Sequence, residues 1–295
     1  MTRNPADVAG RLITFSWLAV LIGLVFFNLG TSPEGLRNRL NLLAWNTLFY
    51  LLIPFINMGL YTSDRRFFLA DMASGLYQPS LYYMAKVSVA LPCYLLAALS
   101  YALITYGLAG LRHDPLSVLH SAALQCTLGL IAAQVLHFSA VLAPNQDMAF
   151  MIAIIWTAVN VMTSNFFILL SQMELRWLSH LRWLSAMSYG FGGLALEELR
   201  HALYDCSQGI APDLALRLPQ LLPTLTGMAK TLFNVAQSQL TIPQEGCVIA
   251  GDAALQFFDI TRPFRLTFGI LLSYLVILHG LTFAALLLVA HNERR

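Results

Sequence analysis

The side chains able to do chemistry in this chain are few and far apart. His120, His137 and His279 suggest a metal site or a proton relay, yet His120 and His137 stand 17 positions apart in one apolar run, more than four helical turns. They cannot share an ion by themselves, and no Ser-His-Asp set or carboxylate pair converges through spacing. The four cysteines contain no C-x-x-C pair, which argues against zinc knuckles and thioredoxin-like redox chemistry. Cys93 and Cys126 lie in apolar runs and read as inert small hydrophobes. Cys206 and Cys247 stand 41 positions apart in a more polar stretch. Joined, they would stabilise the fold by about 3 to 4 kcal/mol in the chain-entropy model; the alternative is two free thiols. Phosphate chemistry fails on another count. There is no G-x-x-x-x-G-K-[ST], no acidic-ended apolar strand and no S-G-G-Q, so no backbone cradle with its lysine holds ATP by that route.

The elements that must position these residues are membrane helices. Of 295 residues only 11% are charged, against about 25% in soluble chains, and 58% are apolar. A soluble polar shell around one core is hard to build from that inventory. Lys plus Arg 17 against Asp plus Glu 15, with no basic run, leaves too little charge density for nucleic acid. Six apolar runs are long enough to cross a bilayer: 12–30, 40–61, 82–110, 116–142, 148–171 and 264–290. Pro54 and Pro92 fall inside two of them and predict kinks rather than ends. The first run is read as a retained span, since it is long for a signal peptide and no A-x-A site follows.

Six spans put both termini on one side. With the termini cytosolic, Arg3, Arg11, Arg65, Arg66, Lys86, Arg294 and Arg295 lie inside, against Arg37, Arg39 and Arg112 in short outer loops. That orientation brings Asp64 and Lys86 to the cytosolic ends of adjacent spans, where an unpaired charge is costly and pairing is expected. Residues 172–263 then form an outer subdomain in an oxidising compartment. Its first part is apolar but interrupted by Gly190, Gly192 and Gly193, which suggests a re-entrant hairpin rather than a seventh span. Residues 214–240 are helical by composition and have no functional reading. The expected organisation is all-α: a short cytosolic segment at 1–11, helices one to five over 12–171, the re-entrant hairpin and outer loop over 172–263, and the sixth helix with a cytosolic tail over 264–295.

Between the second and third runs the sequence becomes distinctive. Asp64, Arg65, Phe68, Asp71, Ser74, Gly75 and Tyr77 are followed by Tyr83, Ala85, Lys86, Leu91 and Pro92, then by Gly110 and Leu111. This pattern resembles the transmembrane domain, of ABC-2 type, of the G subfamily of ABC transporters, the White-type half-transporters that export lipids, sterols and drugs. Further matches follow in the same order. Arg3-Asn4-Pro5 and Arg11 resemble the family's connecting helix, which would make 1–11 its cytosolic remnant, and Asn38-Arg39 resembles the family's pair before its second helix. Trp177, Leu178, Ser185, Tyr189, Gly190, Phe191, Leu194 and Glu198 resemble its re-entrant stretch, and Cys247, Gly251, Asp252 and Leu255 its late cysteine motif. The chain departs from the family at Ala70, Glu174 and Ser164-Asn165.

The resemblance implies a permease whose apolar cavity lies at a dimer axis, in a homo- or heterodimer. On this pattern Phe49 and Leu52 of the second span, with Val159 and Met162 of the fifth, would line the cavity; Asn160 and Thr163 would either orient a ligand or glue helices together. Phe167 and Ile168 would take the place of the outward gate, and the stretch from Asp64 through Arg65, Asp71 and Gly75 to Tyr77, with Lys86, would couple to an ATPase domain. The chain would need no cofactor of its own. ATP and Mg would be bound by a nucleotide-binding domain in cis or in trans, so this chain alone holds no catalytic site. Its surroundings would be membrane lipids and a hydrophobic small-molecule substrate, in a plasma membrane or an endomembrane. A truncated or split half-transporter and a permease-only subunit both fit. Rival readings are an ATPase-free regulatory or assembly partner, a passive facilitator, and a membrane enzyme that shares only the helix count.

Overall fold

The computed structural model describes residues 5–75, 78–112, 114–167, 180–205 and 248–293. The first helix, α1, runs Pro5–Val25 without a break, so residues 5–11 continue directly into the first apolar run. Helix α2, Pro33–Leu52, starts where sequence signals put it: Pro33 has no N–H to leave orphaned, and the Ser32 hydroxyl accepts from the Gly35 N–H at 3.1 Å. Pro54 then turns the chain through a 3-10 segment, Ile53–Asn57, and α3 continues as Met58–Ala73. The second apolar run is thus the middle of a 40-residue rod with an irregular joint. Helix α4, Pro79–Ala109, runs through Pro92 and stops on Gly110, whose φ of +62° suits a residue without a Cβ. Helix α5 is Pro115–Leu142.

Helix α6, Gln146–Met162, opens with the Asn145 side chain accepting from Met148 N–H at 3.0 Å. It closes well before residue 171. At 1.5 Å per residue its 17 residues span about 25 Å, short of the roughly 30 Å of a hydrocarbon core. The stop falls at Thr163 and Ser164, and Asn165 takes a left-handed φ of +63°. After a 3-10 turn at His180–Leu184 comes α7, Ala186–Leu199. A ladder of three residue pairs follows, β1 Leu203–Asp205 antiparallel to β2 Val248–Ala250 with Tyr204 opposite Ile249, then α8, Gly251–Phe257, and α9, Phe264–Glu293.

Helix α5 is the axis of the bundle. It touches α2, α3, α4, α6, α7 and α9, and two thirds of its apolar window is buried. Helices α1 and α9 lie outside, each with 22% of its window buried and large apolar side chains such as Trp17, Val25, Val276 and Leu288 exposed. Exposed apolar surface on this scale is the mark of helices solvated by lipid. Among the described residues five helical stretches have the length and hydropathy to cross a membrane, and α6 is a shorter apolar helix beside them. The protein is an integral, multi-pass, mostly helical membrane protein.

The glycines of α7 do not break it. Gly190 meets the Leu128 side chain, and a Cβ at Gly193 would sit 2.7 Å from Leu124 Cδ1, so bare backbone lets α7 lie flat against α5. Met187, at its start, packs against Leu51 at the end of α2 and Ala132 in the middle of α5. Glu198, at its end, reaches the turns that open α2 and close α4. The stretch expected to be re-entrant thus contains one unbroken 14-residue helix. Cys206, Cys247 and the 214–240 stretch lie outside the described residues.

Candidate functional site

Polar groups gather at two ends of the bundle. At the first, the joint in the α2–α3 rod turns Asp64 toward α4, and Lys86 Nζ lies 3.0 Å from Asp64 Oδ2. The expected contact is present. The lysine also sits over the rings of Tyr61 at 5.2 Å and Tyr82 at 5.8 Å, which hold its cation where lipid would otherwise border it. On the same helix as Asp64, Arg65 donates from Nε to the Val141 carbonyl at 3.1 Å, tying α3 to the end of α5. Asp71 is half-buried on α3, and Gly75 ends that region with a φ of +68°. Tyr77 lies outside the described residues.

Next to this pair two of the three histidines meet. His137 stacks between Tyr61 and Tyr83 at ring distances of 5.5 and 5.8 Å, and Tyr83 Oη lies 2.6 Å from His279 Nδ1. Gln134 donates to the Tyr83 hydroxyl at 3.0 Å and to Thr282 Oγ1 at 2.6 Å. A cavity of about 50 Å³ lies among Tyr61, Lys86, Gln134, His137 and His279, room for one or two waters. Among the described residues no three His, Cys, Asp or Glu side chains gather to hold a metal ion. His120 is elsewhere, with Nδ1 3.2 Å from Glu197 Oε1 and its ring stacked on Phe264.

At the other end, Arg39 of α2 pairs with Glu198 of α7, side chains 10% and 2% exposed. Arg39 Nη2 also donates to the carbonyls of Leu29 at 2.6 Å and Gly110 at 3.2 Å, while Glu198 Oε2 accepts from the Arg112 N–H at 3.0 Å. One buried pair therefore clamps the α1–α2 turn, the α4–α5 turn and the end of α7. Tyr204, on β1 beyond these helices, is pushed up to about 12, chiefly by burial. Sequence reasoning noted Arg39 and Glu198 in separate motifs and gave neither a partner. The available signal was that an apolar chain rarely buries a lone charge.

The residues expected to line a cavity divide by burial. Phe49 stacks on Trp45 at 5.5 Å, and Trp45, Leu52 and Ile56 are 46%, 40% and 67% exposed, one stripe along α2 and the joint. On α6, Met148, Met151, Ile155, Val159 and Met162 form a second exposed stripe at spacings of three and four. Asn160 and Thr163 turn the other way. Asn160 Oδ1 accepts from Met187 N–H at 3.4 Å, its Nδ2 donates to Trp156 O, and its carbonyl accepts from Ser185 Oγ, so its amide fastens α7 to α6. Thr163 is 5% exposed and donates to Val159 O. Phe167 is 47% exposed, packed edge-on to Phe166; Ile168 lies outside the described residues.

A rod with a joint, a bundle built on α5, a short helix clamped by a buried ion pair and two exposed apolar stripes together define a multi-pass helical membrane domain. The ABC-2 type transporter family model matches residues 1–198, two thirds of the chain, and the chain belongs to that family. Its relatives are G-type ABC transporters. The chain is 27% identical over 198 residues to the broad substrate specificity ATP-binding cassette transporter ABCG2 of Bos taurus, covering 66% of this chain and 30% of that protein. It is 27% identical over 181 residues to ABC transporter G family member 4 of Arabidopsis thaliana, covering 61% and 31%. To the ABC transporter ATP-binding protein/permease wht-1 of Caenorhabditis elegans it is 25% identical over 201 residues, covering 66% and 29%. The matched part is thus under a third of the length of these curated relatives.

Proposed function

We propose that this chain is the permease part of an ATP-driven exporter of hydrophobic small molecules, with lipids and sterols as the substrate class, and that it works as a homo- or heterodimer. The observation that carries this reading is the pair of exposed stripes on α2 and α6, aromatic, Met and branched side chains at helical spacing with no cover among the described residues. Two copies facing each other across these stripes would enclose a greasy slot in which dispersion contacts hold flat apolar ligands. Phe49, Leu52, Val159 and Met162 are its walls, and Phe167 with Ile168 its outward closure. Asn160 and Thr163 act one step back, keeping α6 in register with α7.

ATP hydrolysis, in a nucleotide-binding domain supplied in cis or in trans, provides the drive. What this chain contributes is transmission. The α3–α4 turn docks on that domain, with Arg65, Asp71, Gly75 and Tyr77 in the docking stretch. The Asp64–Lys86 pair makes α3 and α4 move as a unit, and the joint at Pro54 converts that motion into a tilt of α2. Both termini are cytosolic in this reading. Cys206 and Cys247 would form a disulfide on the outer side.

The test is ATP-dependent export of a fluorescent sterol from vesicles containing this chain and an ATPase partner. Transport that needs ATP and partner, and that falls when Phe49 and Leu52 are replaced by Ala, supports the reading. Export without ATP makes the chain a passive facilitator. Transport that ignores changes at Phe49, Val159 and Phe167 makes it a regulatory or assembly partner.

A further inference from the structure

Between the end of α6, the turn before α7 and the link into α9 lies a second cavity, of about 280 Å³, lined by none of the residues assigned above to transport. Its wall is polar. Ser164 and Asn165 come from the end of α6, Ser188 from α7, and Thr261 and Thr267 from the approach to α9 and its first turn. Three charges border it: Arg182, Arg262 and Asp259. Arg182 is taken by Asp259, Nη1 to Oδ2 at 3.1 Å. Arg262 has no carboxylate partner among the described residues. Its guanidinium lies over the rings of Trp183 at 4.4 Å and Tyr189 at 5.1 Å. Ring faces fix the position of a guanidinium while leaving its N–H groups in need of acceptors. Two positive charges against one negative leave the cavity with an excess cation among hydroxyl and amide groups, the arrangement that recognises phosphate.

The surroundings say where that phosphate comes from. Trp183 and Leu184, beside the cavity, are 52% and 62% exposed, a placement suited to the boundary between membrane and water. Along α9, Leu266, Gly269, Ser273, Val276 and Gly280 follow at spacings of three and four, all exposed. A Cβ at Gly269 or Gly280 would meet nothing within 4 Å, so this helix face is open and low enough for an acyl chain to lie along it. From Leu266 to Gly280 it runs about 21 Å, longer than the roughly 15 Å depth of one leaflet.

We propose that this cavity holds the phosphate of a membrane phospholipid, its headgroup on Arg262 and an acyl chain along that face of α9. The site is separate from the α2 and α6 stripes and stands whatever the chain transports. The test is native mass spectrometry of the full chain in detergent, with phosphatidylcholine, with diacylglycerol of the same acyl chains, and with inorganic phosphate. Phosphatidylcholine is expected to be retained and to bind about tenfold more weakly to Arg262→Gln, the loss typical of a charge-assisted hydrogen bond. Diacylglycerol is expected to bind both proteins equally and weakly. Asp259→Asn, which removes only the negative charge, is expected to strengthen phosphatidylcholine binding. Unchanged lipid retention in Arg262→Gln overturns the proposal, as does diacylglycerol binding as well as phosphatidylcholine. Displacement of the lipid by equimolar inorganic phosphate would overturn it in favour of a soluble anion. Should Arg262→Gln fail to fold, Asp259→Asn decides, and no gain there also overturns the proposal.

Discussion

The two ends of the bundle each hold one acid-base pair, and they are built in opposite ways. Arg39 and Glu198 are almost wholly buried, and between them accept or donate to three backbone groups from different turns. Asp64 and Lys86 are 35% and 15% exposed, and the lysine also lies over two ring faces. Removing one member of the first pair strands a charge where no water reaches it. Removing one member of the second leaves a charge that can turn toward solvent. The first pair is thus suited to fixing a shape, the second to surviving a change of shape. Gly190 and Gly193 reinforce the fixed end, where bare backbone lets α7 lie flat against α5.

The sharpest way to break this comparison is Glu198→Ala. It is expected to cost about 3 to 5 kcal/mol, the penalty for an orphaned buried charge, seen as a lower unfolding midpoint in detergent. Arg39→Met combined with Glu198→Leu should recover most of that loss, because neither charge is then left alone; a double variant as unstable as the single one would contradict the clamp. Next in size is Gly190→Ala, whose new Cβ meets the Leu128 side chain. Overpacking of this kind costs about 1 to 3 kcal/mol and should loosen α7, raising its hydrogen exchange ahead of the rest of the bundle.

Asp64→Asn should cost at most about 1 kcal/mol, as for partly exposed pairs, yet reduce ATP-dependent export severalfold. Exchanging the two residues, Asp64→Lys with Lys86→Asp, should restore export lost in each single exchange. Full export in both single exchanges would reduce the pair to an anchor of helix depth. The smallest effect on stability belongs to Leu52→Ala and Val159→Ala, within about 0.5 kcal/mol because both side chains are already exposed. Their effect should appear instead in which sterol is exported, measured as a ratio of rates for a bulky and a slim substrate.

Much of this architecture is legible in the sequence because the bilayer leaves so few options. A segment of 20 apolar residues in hydrocarbon must satisfy its backbone internally, so apolar length alone marks helices such as α4, α5 and α9. Pro33, Pro79 and Pro115 mark helix starts by the same local chemistry. The Asp64–Lys86 contact follows from topology plus the cost of lone charge. The end of α6 was not legible: its apolar pattern runs on to residue 171, while the helix stops at Met162 where Asn165 turns left-handed and donates to the Phe258 carbonyl at 2.5 Å. That partner is 93 residues away.

The sequence by itself determined that the chain is a multi-pass membrane protein of the ABC-2 type, because composition, hydrophobic length and ordered short motifs are properties of neighbours along the chain. Only the tertiary structure decided that Arg39 meets Glu198, that Asn160 fastens α7 to α6, that His137 and His279 both border Tyr83 while His120 stays apart, and that Arg262, over two ring faces, borders a polar cavity with no carboxylate partner among the described residues. Each of these depends on which helix packs against α5 and at what height. Interhelix packing is set by small residues and van der Waals fit, and those carry no signal that spacing along one strand of sequence can reveal.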